Sequence, residues 1–413
     1  MSNALQQFLR SRLDNTLAFL RDMVAINSGP ANPTGILAAG NVVATQFAAL
    51  GFEPEYVPAR NPLSGSHPFL SRTAPDRLHG AARQAVCLVA HLDTVYSADE
   101  EERNDFQWKV DGERIYGPGT SDDKGGIAMI YAVLEALQTH DPQTFEQTDW
   151  VVALNAAEET MSPDFPGAVE SHLPRNTRAC LVFEGAHLAD GGYAIPVARK
   201  GSTNMLLTVH GRGAHGGGRH PDGANAIVAL SLLLPQIAAL TDYSRDLTVN
   251  PGVISGGIIV NRVPAVAECQ INMRAFDPAL LETTRREILE ITKQADAVRA
   301  NSDGYACSAE LTIVEETPAW PGGCQTQGLF EIWQSAARKC GSVISPERRG
   351  GVSDANVICH LAPTLDGLGP SGGNDHCSER SADGSKLPEY VEPESFVTLG
   401  EINVRALQRL LGD

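Results

Sequence analysis

Two histidines and a handful of carboxylates, several of them placed where an apolar run ends, are the residues best suited to chemistry. His91 and Asp93 close the run that begins at Ala85, Glu158 and Glu159 follow Trp150 to Leu154, and Glu184 comes directly after Ala179 to Phe183. Asp122 and Asp123 lie in Gly117-Pro-Gly-Thr-Ser-Asp-Asp-Lys-Gly-Gly, where glycine and proline discourage a helix before Lys124. Imidazole and carboxylate are the donors that borderline divalent ions such as zinc accept. His91, Asp122, Glu159, Glu184 and, late in the chain, His376 can supply them, and one bridging carboxylate can hold two ions about 3.5 to 4 Å apart. Asp93, two residues beyond His91 on the same strand face, can take the other ring N–H. Glu158, beside a ligand, can move a proton from water to a leaving amine. Plainer readings stand beside these: an acidic pair caps a helix, Asp93 ends a strand, and Glu158 is a further ligand or a surface charge.

Holding such a set in place requires a buried sheet. The three apolar runs are short and continuous, as strands covered on both faces must be, and each delivers its polar residue at its C-terminal end. In open α/β sheets ligands sit at that edge. Leu5 to Leu20 predicts an amphipathic opening helix, Ile36 to Leu50 a second that stops at Gly51, and Ile127 to Leu137 a third just after the acids. Residues 61 to 84, rich in Pro, Ser, Gly and Arg, predict a surface loop. Near Val197 the pattern changes. A strand at Met205 to Val209, a helix over Gly223 to Leu240, strands over Gly252 to Val260 and Val266 to Ala275, a helix over Arg285 to Val298 and a strand over Ala309 to Val314 give the βαββαβ order of a ferredoxin-like layer. The expected fold is α/β: a catalytic domain with a mixed central sheet, residues 1–197 and 318–413, interrupted by an inserted ferredoxin-like domain, residues 198–317.

A formal net charge of -18 over 413 residues argues against nucleic acid or an anionic membrane as partner. The opening Met-Ser-Asn-Ala-Leu-Gln-Gln lacks the basic and apolar regions of a signal peptide, and no apolar run is long enough to span a bilayer. Eight cysteines without a Cys-x-x-Cys read as small apolar residues in a reducing compartment, with Cys377 the one placed for reactivity, so the expected location is cytoplasmic. Gly211-Arg-Gly-Ala-His-Gly matches a dinucleotide fingerprint, but Gly217, Gly218 and Pro221 prevent the helix that such a site needs. Ser353 lacks the frame of a nucleophile elbow, because Ala355 stands where its last glycine belongs.

At His91-Leu-Asp-Thr-Val, Gly117 to Gly126, Glu158-Glu159, Phe183-Glu184, Gly213-Ala-His-Gly, Asn261-Arg-Val-Pro-Ala and Gly350-Gly-Val-Ser-Asp the sequence resembles the M20 family of zinc-dependent amidohydrolases and exopeptidases, in its glutamate carboxypeptidase and acetylornithine deacetylase branch. The resemblance implies two zinc ions per subunit, with cobalt and manganese as alternatives: His91 and Glu184 on one, Glu159 and His376 on the other, Asp122 bridging. It implies that Glu158 is the general base and acid, that Asp93 supports a ligand, and that the Asp122–Asp123 peptide is cis. The insert becomes a lid that dimerises, with His215 reaching the partner's active site to stabilise the oxyanion. Asn261, Arg274 and Arg348 become holders of a substrate carboxylate, which a guanidinium can grip with two parallel hydrogen bonds. His376 is preferred to His360, which reads as a core residue, because it follows the glycine-rich loop Gly367 to Gly373. Two stretches, Met161 to Pro166 and Cys377 to Leu387, depart from the family pattern.

The expected function is a homodimeric zinc-dependent exopeptidase or amidohydrolase that cuts an amide bond next to a free carboxylate, in an N-acyl amino acid or short peptide, through a metal-bridging hydroxide. Two rivals remain. A di-metal aminopeptidase or dipeptidase needs an acid to meet a free amine, and a non-catalytic metal-binding protein can dispense with Glu158.

Overall fold

The computed structural model describes residues 2–75, 84–189 and 191–412, and the chain divides into two compact units. The first comprises residues 1–197, 322–347 and 353–413. Its centre is a six-stranded mixed sheet. Strands β1 (Glu53–Pro58), β2 (Ser66–Arg72), β3 (Gln84–His91), β4 (Thr148–Asn155) and β5 (Thr177–Val182) stand in the order β1-β2-β4-β3-β5, and Thr364–Leu365 adds a last short strand beside β5. β3 runs parallel to both β4 and β5, whereas β2 is antiparallel to β4. Every residue of β4 is buried, which is why the three predicted runs are apolar without alternation.

Helices α1 (Ser2–Val24), α2 (Pro33–Ala48) and α3 (Lys124–His140) pack on this sheet. α3 is buried almost all round from Lys124 to Leu134, and from Ile127 to Leu134 it is apolar on every face. Phe19, Phe47 and Tyr131 meet edge to face between the three helices, with centroids 5.4 to 6.5 Å apart.

Part of the predicted surface loop over residues 61 to 84 is sheet. β2 lies between β1 and β4, and its His67, Pro68, Phe69 and Leu70 are all buried. Only two of these, Phe69 and Leu70, are apolar core residues, and they follow a histidine and a proline, too few for a periodicity to show. Pro68 is tolerated because the ladder with β4 begins one residue later, at Phe69. The rest of the prediction falls partly on residues 76–83, outside the described residues.

The second unit comprises residues 198–321 and 348–352. Strands β6 (Gly201–His210), β7 (Thr248–Gly256), β8 (Val266–Ala275) and β9 (Ser308–Thr317) form an antiparallel sheet in the order β7-β8-β6-β9, backed by α4 (Ala226–Ala238) and α5 (Pro278–Thr292). β7 ends four residues before the predicted strand does, at Gly257 with its φ of 75°. α5 begins seven residues before the predicted Arg285, because Asp277 caps it and Pro278 occupies the first turn.

Candidate metal centre

The loop before α3 presents Asp122 between two imidazoles. Its Oδ1 lies 2.8 Å from His91 Nε2 and its Oδ2 3.3 Å from His376 Nε2. Glu184 adds Oε1 at 3.7 Å from the first imidazole, and Glu159 adds Oε2 at 3.2 Å from the second. Two nests of nitrogen and carboxylate thus share one aspartate. The Asp122–Asp123 peptide is cis. His376 stands at φ 62°, on the stretch after the glycine-rich loop, while His360 is exposed on a turn after the short helix Asp354–Ile358, so it is not a core residue.

The electrostatics of this cluster call for a cation. Burial opposes charge on His91, but its bonds to Asp122 and Asp93 outweigh that and push the imidazole well above its usual range. Hydrogen bonds to Asp122 and Glu159 push His376 up to about 11. Burial works to raise Asp122, yet the two histidines hold it well below the usual carboxylate range. Protons are standing in for positive charge that a divalent ion supplies when it displaces them. Among the described residues, the buried Asp123 Oδ1 lacks any hydrogen-bond partner, and Asp123 with His91 and Glu184 offers ligand atoms within 4.8 Å of one another, as do His91, Asp122 and Glu159. The donor set fits a metal.

Asp93 does more than sequence reasoning assigned it. Its carboxylate accepts the N–H of Glu158 at 3.0 Å and of Glu159 at 2.9 Å, while His91 Nδ1 lies 3.0 Å from its main-chain carbonyl and 3.4 Å from Oδ1. The imidazole is therefore oriented chiefly by the backbone, and the carboxylate orients the acidic turn. Burial pushes the Glu158 carboxyl well above its ordinary range. Glu389, which sequence reasoning passed over inside the segment after His376, is fully buried and accepts the N–H of Ser121 at 2.8 Å and of Asp122 at 3.1 Å, with Tyr96 Oη donating to its other oxygen at 2.9 Å. It fixes the loop that carries Asp122.

The remaining candidates belong to the second unit. His215 Nδ1 accepts the N–H of Gly217 at 3.2 Å and of Gly218 at 2.9 Å, which places the ring proton on Nε2. Arg274 donates from Nε to Asn272 at 3.1 Å and from Nη1 to the Gly350 carbonyl at 3.1 Å. Arg348 lies over the Phe276 ring at 4.1 Å, and Asn261 is exposed, its carbonyl accepting from Gly216 N–H at 2.7 Å.

Residues 87–393 match the profile of Peptidase family M20/M25/M40. The chain belongs to this family. Carboxypeptidase G2 of Pseudomonas sp. (strain RS-16) is 23% identical over 408 residues, covering 96% of this M20 chain and 92% of that protein. Acetylornithine deacetylase of Myxococcus xanthus is 34% identical over 355 residues, covering 81% and 82%. Among solved structures, aminopeptidase PepT of Bacillus cereus ATCC 10987 shares the fold, with a TM-score of 0.74 at 18% identity over 96% of this chain and 98% of that one. This M20 chain is a metal-dependent hydrolase of amide bonds next to a carboxylate. Among the described residues, no helix is long and apolar enough to cross a membrane.

Proposed function

We propose that this chain is a cytoplasmic di-zinc exopeptidase or deacylase that releases an amino acid from an N-acyl amino acid or a short peptide. The observation that carries the reading is Asp122 shared between two imidazole–carboxylate nests, with Glu158 beside them. His91 and Glu184 would hold one ion, His376 and Glu159 the other, and Asp122 both. When bound, the ions would supply Lewis acidity, lowering the pKa of water and polarising the scissile carbonyl.

The protein's own residues do the rest. Glu158, its carboxyl raised by burial, takes the proton of the attacking water and returns it to the leaving amine. Asp93 holds that side chain's backbone still. His215, with its proton on Nε2, is the proposed donor to the oxyanion. Arg274, Asn261 and Arg348 are the proposed holders of the substrate carboxylate. The names of the relatives support a substrate that carries a free carboxylate beside the scissile amide: one is a carboxypeptidase and the other a deacetylase of an amino acid.

The test is a hydrolysis screen of the purified chain against N-acyl amino acids and dipeptides, with and without a chelator and with metal analysis alongside. Activity on substrates that carry a free carboxylate, abolished by chelation and restored by zinc, is expected. Activity confined to substrates without that carboxylate would overturn the assignment.

A further inference from the structure

The turn that carries Glu158 and Glu159 has no main-chain ladder of its own. Its four successive N–H groups are taken by side chains: Ala156 by His67 Nδ1 at 3.1 Å, Ala157 by Asn155 Oδ1 at 3.0 Å, and Glu158 and Glu159 by the two oxygens of Asp93 at 3.0 and 2.9 Å. Backbone donors must be satisfied wherever they are buried, so the path of this turn is set by where those three side chains are held. Asn155 and Asp93 lie next to the turn or next to His91. His67 comes from β2, a separate strand.

We propose that His67, locked by Asp164, is a positioning residue for the Glu158–Glu159 turn, an inference that rests on reading Glu159 as a metal ligand and Glu158 as the proton carrier. His67 is fully buried. A backbone N–H can only donate, so Nδ1 is bare and the ring proton lies on Nε2, which faces Asp164 Oδ2 at 3.4 Å. Asp164 also accepts the N–H of Arg60 at 2.6 Å. Although it directly precedes the helix Phe165–His172, its side chain caps nothing there. It reaches across to β2 instead, and Phe165 lies against the His67 ring with centroids 5.2 Å apart. The carboxylate and the aromatic ring both come from Met161 to Pro166, the stretch that departs from the family pattern. The departure thus carries the partner that fixes the tautomer and tilt of His67. A buried imidazole locked in this way is a stiff acceptor, and displacing a reacting or ligating group by about 1 Å costs on the order of a hundredfold.

Two variants separate positioning from bulk. His67→Asn keeps an amide oxygen close to where Nδ1 stands, whereas His67→Gln carries its polar end out toward the Nε2 position and leaves the Ala156 N–H without an acceptor. Titration of the full metal-free chain with Co2+, followed by visible absorption, is expected to show H67N within about threefold of the natural protein and H67Q weaker by about tenfold or more. Amide hydrogen exchange in the metal-free H67Q protein should quicken over residues 155–162 and not elsewhere. Where H67Q does not fold, Asp164→Ala, at a half-buried position, is expected to give the same confined exchange change. H67Q matching the natural protein in both readouts, or H67N losing as much as H67Q, would overturn the inference. Glu159→Gln measured in parallel separates the layers: undiminished Co2+ affinity there removes the ligand reading and this inference with it, while a loss there beside an unaffected H67Q removes this inference alone.

Discussion

Five ligand-type side chains come from five stretches of the chain, and at His91, Asp122 and His376 the structure holds protonation away from ordinary solution behaviour. The raised His376 has a folded-state pKa of about 11 against its usual 6.5. A group raised on folding stabilises the protein fully below its unfolded pKa, and that contribution is lost as pH climbs toward the folded one. The metal-free protein is therefore expected to lose thermal stability between about pH 6.5 and 11, and zinc binding to release protons and tighten as pH rises. Calorimetric zinc titrations in two buffers of different ionisation enthalpy read those protons directly, and zero release would refute the charge picture. At Glu158, substitution by Gln keeps size and removes the proton carrier. Turnover should fall by about a hundredfold to ten-thousandfold with metal content unchanged, and near-normal turnover in the loaded variant would dismiss the role. What the sequence made legible at this scale was donor chemistry at strand ends. The supports were not legible. Glu389, His67 and the backbone-anchoring work of Asp93 depend on which amides lie unpaired in the folded loop, and no spacing in the chain records that.

At the scale of elements, β3, β4 and β5 were readable because continuous apolar runs have few other uses, and β8 was readable to the residue. β2 was hidden by proline and by its short buried stretch. The start of α5 was missed because the Asp277-Pro278 signal was passed over in favour of the later apolar spacing. The junction of loop and α3 is packed more tightly than its sequence reveals. A Cβ on Gly126 would stand 2.1 Å from Asp123 Oδ1 and 2.2 Å from the Phe183 carbonyl, the second a backbone atom that cannot swing aside and the first on a buried side chain. Gly126→Ala should destabilise the protein by about 1 to 3 kcal/mol or more and lower metal retention, since α3 must shift and drag Asp122 with it. Urea unfolding and metal analysis of the variant check this, and a wild-type midpoint would mean that the helix start yields more readily than its contacts indicate.

For the whole molecule, the apolar surface of the second unit is the feature that composition could not locate. Ile258 is 86% exposed and Val260 fully so, just beyond β7, an edge strand of its sheet, and Val253 and Ile254 on that strand are more than half exposed. A bare apolar edge of this kind favours pairing with a second copy. For the homodimer expected from the sequence, association through this edge predicts that Ile258→Asp combined with Val260→Asp shifts sedimentation toward the monomer without changing the fold seen by circular dichroism. An unchanged sedimentation coefficient would place the association elsewhere or exclude it.

The second unit is not one continuous cassette. Arg348 to Val352 belongs to it, tied by Lys200 N–H to the Arg349 carbonyl at 3.1 Å and by the Arg199 guanidinium to the carbonyls of Gly351 and Val352. A chimera that exchanged only residues 198–321 with those of a relative would graft a foreign sheet beside a native pentapeptide, mismatching those bonds. The next residues, Ser353 and Asp354, anchor to Asp366 and Asn155, and Asn155 in turn holds the Ala157 N–H. A domain transplant in this scaffold has to carry both pieces together, or the graft's misfit is handed along the chain to the acidic turn.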